Sequence, residues 1–191
     1  ELGIANQPTY EDYEKAILEN PDAKAVFVIN ATYFGVVTDL KRIVDLAHKH
    51  NMYCIVDEAH GAHFNFDHNG PISAMRAGAD LSAASIHKTC GSLTQTSVLL
   101  SSGSISHQHI LKVMSLITTS SPSMILLASL DTARKYTALY GEKKLMEVKK
   151  LGDYAREEIN KIPGFHLYGR EYFKKIGEYD YDETKLLISI D

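Results

Sequence analysis

Three short apolar runs, separated by stretches of helical periodicity, decide what this chain can fold into. Ala25-Val26-Phe27-Val28-Ile29 is a continuous β-branched and aromatic run of strand length, and it reads as a strand buried on both faces. Residues 53–56 read as a second such strand and residues 81–86 as a third. Between the first two lies a helix over 38–50, N-capped by Thr38, with Leu40, Ile43, Val44, Leu46 and Ala47 on its core face. Strand–helix–strand alternation implies a right-handed crossover and a parallel sheet. A short helix over 72–77, stopped by Gly78, leads into the third strand. The link over 89–96 is too short for a helical crossover, so a fourth strand over 97–100 returns antiparallel.

The remaining elements follow from the same signals. A helix is expected over 9–20, with Thr9 and Asp12 as a capping-box start. Helices over 105–117, 122–140 and 142–162 follow, Pro122 being a good first helical residue. Pro163-Gly164 breaks the pattern, and 165–168 and 186–190 read as strands of a different layer. The fold class is α/β. In parallel α/β sheets ligands bind at the carboxyl ends of the strands. Three strands here end in polar or reactive residues: Asn30 to Thr32, Asp57 to His60, and Ser85 to Lys88. One site built from three strand ends is the simplest reading.

Composition narrows the partners. The 191 residues are 45% hydrophobic and 23% charged, as in an ordinary globular protein. A formal net charge of −4 gives no electrostatic reason to expect nucleic acid or an anionic membrane. The longest apolar stretches, such as 124–127, are far too short to cross a bilayer. No basic segment followed by an apolar one opens the chain, so nothing marks it for secretion. Cys54 and Cys90 form no CxxC pair and read as free thiols in a reducing compartment, which makes the cytoplasm the expected location. Glu1 is not a start methionine, and 186–190 reads as a strand that needs a neighbour. The chain therefore reads as a piece of a longer protein.

The spacing of Asp57 and Lys88 carries the chemistry. A lysine at a strand end can form an imine with an aldehyde once burial or the imine itself destabilises its ammonium. A buried aspartate needs a cationic or hydrogen-bonding partner. A protonated pyridine nitrogen is such a partner, and pyridoxal phosphate (PLP) offers both groups in one molecule. Ala59 is small enough for a flat ring to pack against it, and Ser85 and His87 can donate to a phosphate. His60 can stack, donate to a substrate or fill space.

Other readings of these residues are weaker. Asp57-Glu58-Ala59-His60 also spells a helicase signature, but that needs a GxxxxGK[ST] loop and the sequence holds no Gly-Lys dipeptide. His60 and His63 with Asp57, or His107 with His109, suggest a metal, yet there is no HExxH and no convincing third and fourth ligand. No metal is expected. Glu178-Tyr179-Asp180-Tyr181-Asp182-Glu183 reads as a solvated loop rather than a cation-binding patch.

With these residues in hand, the chain resembles a fold-type I PLP-dependent enzyme. More narrowly it resembles the major domain of the bacterial ornithine/lysine/arginine decarboxylases, in the short Gram-positive form. The carriers are 30–35, 56–64, 78–89 with Ser85-Ile86-His87-Lys88, 93–95, Ser120-Ser121-Pro122-Ser123 and 128–131. Where the family usually has proline, this chain has Ala31. The resemblance implies a mixed, mostly parallel sheet in a three-layer α/β/α large domain, continued by the start of a small α+β domain. The expected division is 1–121 for the cofactor-binding part, 122–162 for connecting helices and 163–191 for the start of the small domain.

By the same resemblance Lys88 is the Schiff-base lysine and Asp57 the pyridinium partner. Ala59 lies against the ring, Ser85 and His87 contact the phosphate, and Thr32 sits at the cofactor edge. Ser120 lies in a segment that reaches a neighbouring subunit's cofactor, which implies a homodimer or larger homo-oligomer. The implied reaction is decarboxylation of a basic amino acid (arginine, lysine or ornithine, with a lean to arginine) to a polyamine-pathway amine. The phosphate-cradling loop and the ring-stacking residue lie upstream of Glu1 in this family, so the 191 residues alone are expected to bind PLP weakly or not at all. The rivals are an α-oxoamine synthase, which usually carries serine where His87 stands, and a non-catalytic fragment serving as an assembly module.

Overall fold

The computed structural model describes residues 3, 4 and 6–190. Helix α1 (Tyr10–Glu19) opens with the expected capping box: Thr9 Oγ1 accepts from Asp12 N, and Asp12 accepts from Thr9 N. Strand β1 (Ala25–Ile29) leads through a tight turn to the two-residue β2 (Val36–Val37), then helix α2 (Leu40–Lys49) and strand β3 (Tyr53–Asp57). A 3-10 turn (Ala62–Phe66), helix α3 (Ala74–Ala77), strand β4 (Leu81–Ala84), helix α4 (Ile86–Thr89) and strand β5 (Val98–Ser101) follow. Helices α5 (His107–Ile117) and α6 (Met124–Ile159) come next. Strand β6 (Phe165–Tyr168), helix α7 (Arg170–Lys175), and strands β7 (Asp180–Tyr181) and β8 (Leu187–Ile190) complete the order.

The main sheet runs β1-β3-β4-β5, with the first three strands parallel and β5 antiparallel to β4. Ile29 pairs with Asp57 and Asp57 with Ala83, so the carboxyl ends of β1, β3 and β4 lie level. Alternation turns Val26, Val28, Cys54 and Val56 to one face, where they meet Leu40, Ile43, Val44 and Ala47 of α2 and Ile17 of α1. The other face carries Phe27, 61% exposed, with Ile29 and Tyr53. The expected burial of β1 on both faces is therefore not met within this chain. Helix α5 approaches part of that face, across a cavity of about 620 Å³ lined by Ile55, Leu81, Leu99, Ile110, Val113 and Met114.

Several boundaries differ from expectation for physical reasons. Thr38 is buried and does not cap α2; Asp39 does, accepting from Arg42 N at 3.4 Å. The third strand ends at Ala84, not 86, because Ile86 and Cys90 are both buried in one cluster and the four-residue spacing suits a helical turn. The two helices expected on either side of residue 141 are one helix of 36 residues. It runs through Gly141 because the missing Cβ admits Phe66 and Thr137: an added Cβ would meet them at 3.2 and 2.9 Å.

The last segment folds back onto the sheet's loops. Strands β6 and β8 pair antiparallel, from Phe165 with Ile190 to Tyr168 with Leu187. Strand β7 pairs with β2, Tyr181 opposite Val36. Phe173 and Tyr181 stack with centroids 4.4 Å apart, both fully buried beside Val36. The acidic run is thus not the solvated loop its composition suggests. Tyr181 and Asp182 are buried, while Asp180 and Glu183 both pair with Arg170, at 2.8 and 3.2 Å. Among the described residues no helix is long and apolar enough to cross a membrane.

Candidate active site

The level strand ends gather most of the residues singled out in the sequence. Alternation along β3 sorts its two adjacent acids. Asp57 is half-buried on the open face, and Glu58 turns to the packed face, fully buried. Asp57 Oδ1 accepts from Ala59 N at 2.9 Å, which fixes the carboxylate and leaves its Oδ2 without a protein donor among the described residues. Ala59, two positions further on, is also half-buried. Glu58 accepts from Ala74 N at 2.8 Å, Ser82 Oγ at 3.2 Å and Asn65 Nδ2 at 3.5 Å. Burial pushes its carboxyl up to about 7 in spite of those donors.

Lys88 lies one helical turn past β4, on α4 rather than on the strand itself. It is exposed, and its Nζ stands 3.2 Å from His60 Nε2. An ammonium only donates, so His60 Nε2 accepts and the imidazole proton sits on Nδ1. His60 is held below the ordinary histidine range by burial first, then by the charges of Lys88 and Lys185; Asp57 opposes the shift. Tyr33 meets the His60 ring edge-on at 5.2 Å.

The expected phosphate contacts are mixed in their readiness. Ser85 stands at the N-cap position of α4, but its hydroxyl makes no capping bond and is half-buried. His87 Nδ1 lies 2.7 Å from the Thr96 carbonyl, which only accepts, so that nitrogen carries a proton. Contact with a phosphate is left to Nε2. Thr32 Oγ1 accepts from Val36 N at 3.1 Å, closing the turn after β1, where the Asn30–Ala31 peptide is cis. Ser120 is exposed in the link between α5 and α6, and no contact among the described residues joins it to Asp57 or Lys88.

Sequence reasoning missed the contribution of the last segment. Asp182 Oδ2 lies 3.2 Å from His63 Nε2, both side chains at most 2% exposed. Thr184 Oγ1 donates to Asp182 Oδ1 at 2.7 Å. Lys185 approaches His60 closely enough to add its charge to that of Lys88. Nothing local marks these residues, since Thr184 and His63 stand 121 positions apart.

Residues 2–185 match the family described as Orn/Lys/Arg decarboxylase, major domain. The chain belongs to that family. It is 47% identical over 190 residues to an arginine decarboxylase of Halalkalibacterium halodurans and 47% over 191 residues to one of Bacillus subtilis. These alignments cover 99% and 100% of the chain but 39% of each relative, so the chain spans about two fifths of their length. Among solved structures it is similar to an alanine–glyoxylate aminotransferase from Nostoc sp., with TM-score 0.65 and 17% identity over 86% of this chain and 47% of that one. It is also similar to mouse CSAD in apo form, with TM-score 0.64 and 22% identity over 82% and 37%. SPT carrying PLP gives TM-score 0.61 at 24% identity over 82% and 40%. These structures share the fold-type I architecture seen here.

Family and fold imply pyridoxal phosphate, and the site offers what that group needs. A carboxylate oxygen without a donor, a lysine amine held against His60, an uncapped hydroxyl and a small side chain after Asp57 all lie around one strand-end edge.

Proposed function

We propose that the protein containing this chain decarboxylates a basic amino acid, arginine in the first instance, at pyridoxal phosphate bound by Lys88. The observation that supports this reading best is the convergence of Asp57, His60 and Lys88 at the level ends of β3 and β4 in a member of the Orn/Lys/Arg decarboxylase family. When bound, pyridoxal phosphate supplies a ring that takes up the electrons of the broken bond between Cα and the carboxylate. Asp57, through Oδ2, holds a proton on the ring nitrogen, and Ala59 N keeps the other oxygen fixed. His60 accepts at Nε2 and aims the amine of Lys88. Ala59 would make room for the ring, Thr32 would lie near it, and Ser85 with His87 would hold the phosphate. Ser120 serves the partner's site in a homodimer. The free thiols Cys54 and Cys90 suit the cytoplasm.

The test uses full-length protein with pyridoxal phosphate and measures carbon dioxide released from arginine, lysine and ornithine. Release is expected, fastest from arginine, together with an absorbance near the visible edge. Lys88→Ala is expected to abolish both. Coenzyme A release from an acyl-CoA and glycine, without carbon dioxide from any of the three amino acids, overturns the reading.

A further inference from the structure

We propose that Asp182 is a positioning residue: it ties the turn that carries Tyr33 to the turn that follows His60, and so holds the His60 ring, and with it the amine of Lys88, in place. This rests on the reading of Lys88 as the cofactor lysine and adds a residue that acts through another one. Asp182 is 1% exposed and takes part in none of the chemistry proposed above. A buried carboxylate is costly unless its neighbours satisfy it. Two of the groups attached to Asp182 lead to the strand-end site.

The first tie joins side chains. Asp182 Oδ1 accepts from Thr184 N at 3.0 Å and from Thr184 Oγ1 at 2.7 Å. Its Oδ2 stands 3.2 Å from Nε2 of His63, which is also buried. Thr184 Oγ1 has directed its one proton at Asp182, so toward His63 Nε2, 3.4 Å away, it can only accept. A carboxylate also only accepts, so His63 Nε2 carries the proton. His63 belongs to the 3-10 turn that follows His60, and residues 61–64 are all buried. That stretch has no slack. Gly61 N donates to Glu58 O at 3.0 Å and Phe64 N to Gly61 O at 2.9 Å, and a Cβ on Gly61 would stand 2.7 Å from Asn30 O. Holding His63 therefore fixes where His60 leaves the strand end.

The second tie runs through the backbone. Asp182 N donates to Gly35 O at 2.8 Å. Gly35 N donates to Thr32 O at 3.0 Å and Val36 N to Thr32 Oγ1 at 3.1 Å, so the turn moves as one piece. Tyr33 rides on it, 71% exposed. Its ring meets Phe34, on the same turn, and His60, on the other one, edge-on at 5.2 Å. His60 Nε2 in turn accepts from Lys88 Nζ at 3.2 Å. Lys88 is exposed, and a long exposed side chain samples many rotamers unless a fixed acceptor selects among them. Asp182 clamps the two turns whose rings meet beside that amine.

The test uses full-length protein freed of pyridoxal phosphate, as wild type, Asp182→Asn, His60→Ala and the double variant. Asp182→Asn keeps both Thr184 bonds at Oδ1 and turns an amide NH2 toward His63 Nε2, donor against donor. It opens the first tie and leaves the second in place. The rate at which added pyridoxal phosphate generates the near-visible absorbance is expected to fall about tenfold, the scale of one charge-assisted hydrogen bond. It is expected to fall at least as far in His60→Ala, and the double variant is expected to match His60→Ala, because the carboxylate acts through that ring. A wild-type rate in Asp182→Asn overturns the proposal. So do effects that multiply in the double variant, which leave Asp182 a structural role only. If Asp182→Asn does not fold, Thr184→Val replaces it in the same comparison, with the same expected and contrary results. If wild-type protein takes up no pyridoxal phosphate, the reading of Lys88 fails, and the titration of the His60 imidazole followed by NMR decides Asp182. Lys88, Lys185 and Asp57 are the charges that bear on that ring. Release of the ring from Lys88 in Asp182→Asn must raise its midpoint toward the ordinary histidine value, and an unchanged midpoint overturns the proposal.

Discussion

Asp57 and Glu58 are one bond apart in sequence and do opposite things because a strand turns successive side chains to opposite faces. Asp57 lies half-buried on the open face. Glu58 is sealed among Ala74, Ser82 and Asn65, and its carboxyl titrates near 7 instead of its ordinary 4.5. The folded state therefore keeps a proton that the unfolded state releases between those values. Stability contributed by this group is full below pH 4.5, falls as pH rises to about 7, and is flat above, a loss of at most about 3 kcal/mol. Glu58→Gln supplies the neutral form at every pH, and its amide can donate to Ser82 Oγ. Its Tm in full-length protein, relative to wild type, is expected to rise between pH 5 and pH 8. A difference that stays constant over that range contradicts the burial argument.

The elements that were legible in the sequence are those whose signals are local. The runs at 25–29 and 53–56 announced parallel strands, Thr9 and Asp12 announced the start of α1, and the short link after Lys88 announced the antiparallel return of β5. What could not be read depends on distant partners. Gly141 looks like a helix breaker, and only the approach of Phe66 shows why α6 continues through it. The acidic run 178–183 looks solvated, and only Arg170, His63 and the stacking of Tyr181 on Phe173 show why it is held in. The pairs Asp57–Lys88 and Ser85–His87 stood out in the sequence because their residue types and spacing suggest a chemistry. The contact of Asp182 with His63 did not, because residues so far apart in the chain carry no such label. Phe173 anchors the element pair β2–β7 that leads into Asp182. Phe173→Ala is expected to destabilise the fold by about 3–5 kcal/mol, the usual range for emptying a buried aromatic site. Hydrogen exchange checks this: the amides of Asp182 and Lys185 should lose protection. Unchanged protection there would show that Arg156 and His63 hold the segment without the aromatic stack.

At the scale of the molecule, the chain spans about two fifths of the length of its arginine decarboxylase relatives. Phe27, Ile29 and Tyr53 stand exposed on the open face of the sheet, and Leu139, Tyr140, Leu151 and Tyr154 on α6. Apolar surface on this scale marks an interaction face. The isolated 191 residues, mixed with pyridoxal phosphate, are expected to show little or none of the near-visible absorbance that full-length protein develops. Equal absorbance from both would mean that the strand ends alone suffice. The central claim is that one cofactor sits between Asp57 and Lys88. It is tested most directly by reducing full-length holoenzyme with borohydride and mapping the modified peptide by mass spectrometry. The phosphopyridoxyl group should be found on Lys88, and Asp57→Asn should leave it there while lowering turnover on the order of 10²- to 10³-fold. Modification of a different lysine, or none in protein that still releases carbon dioxide, would contradict the account.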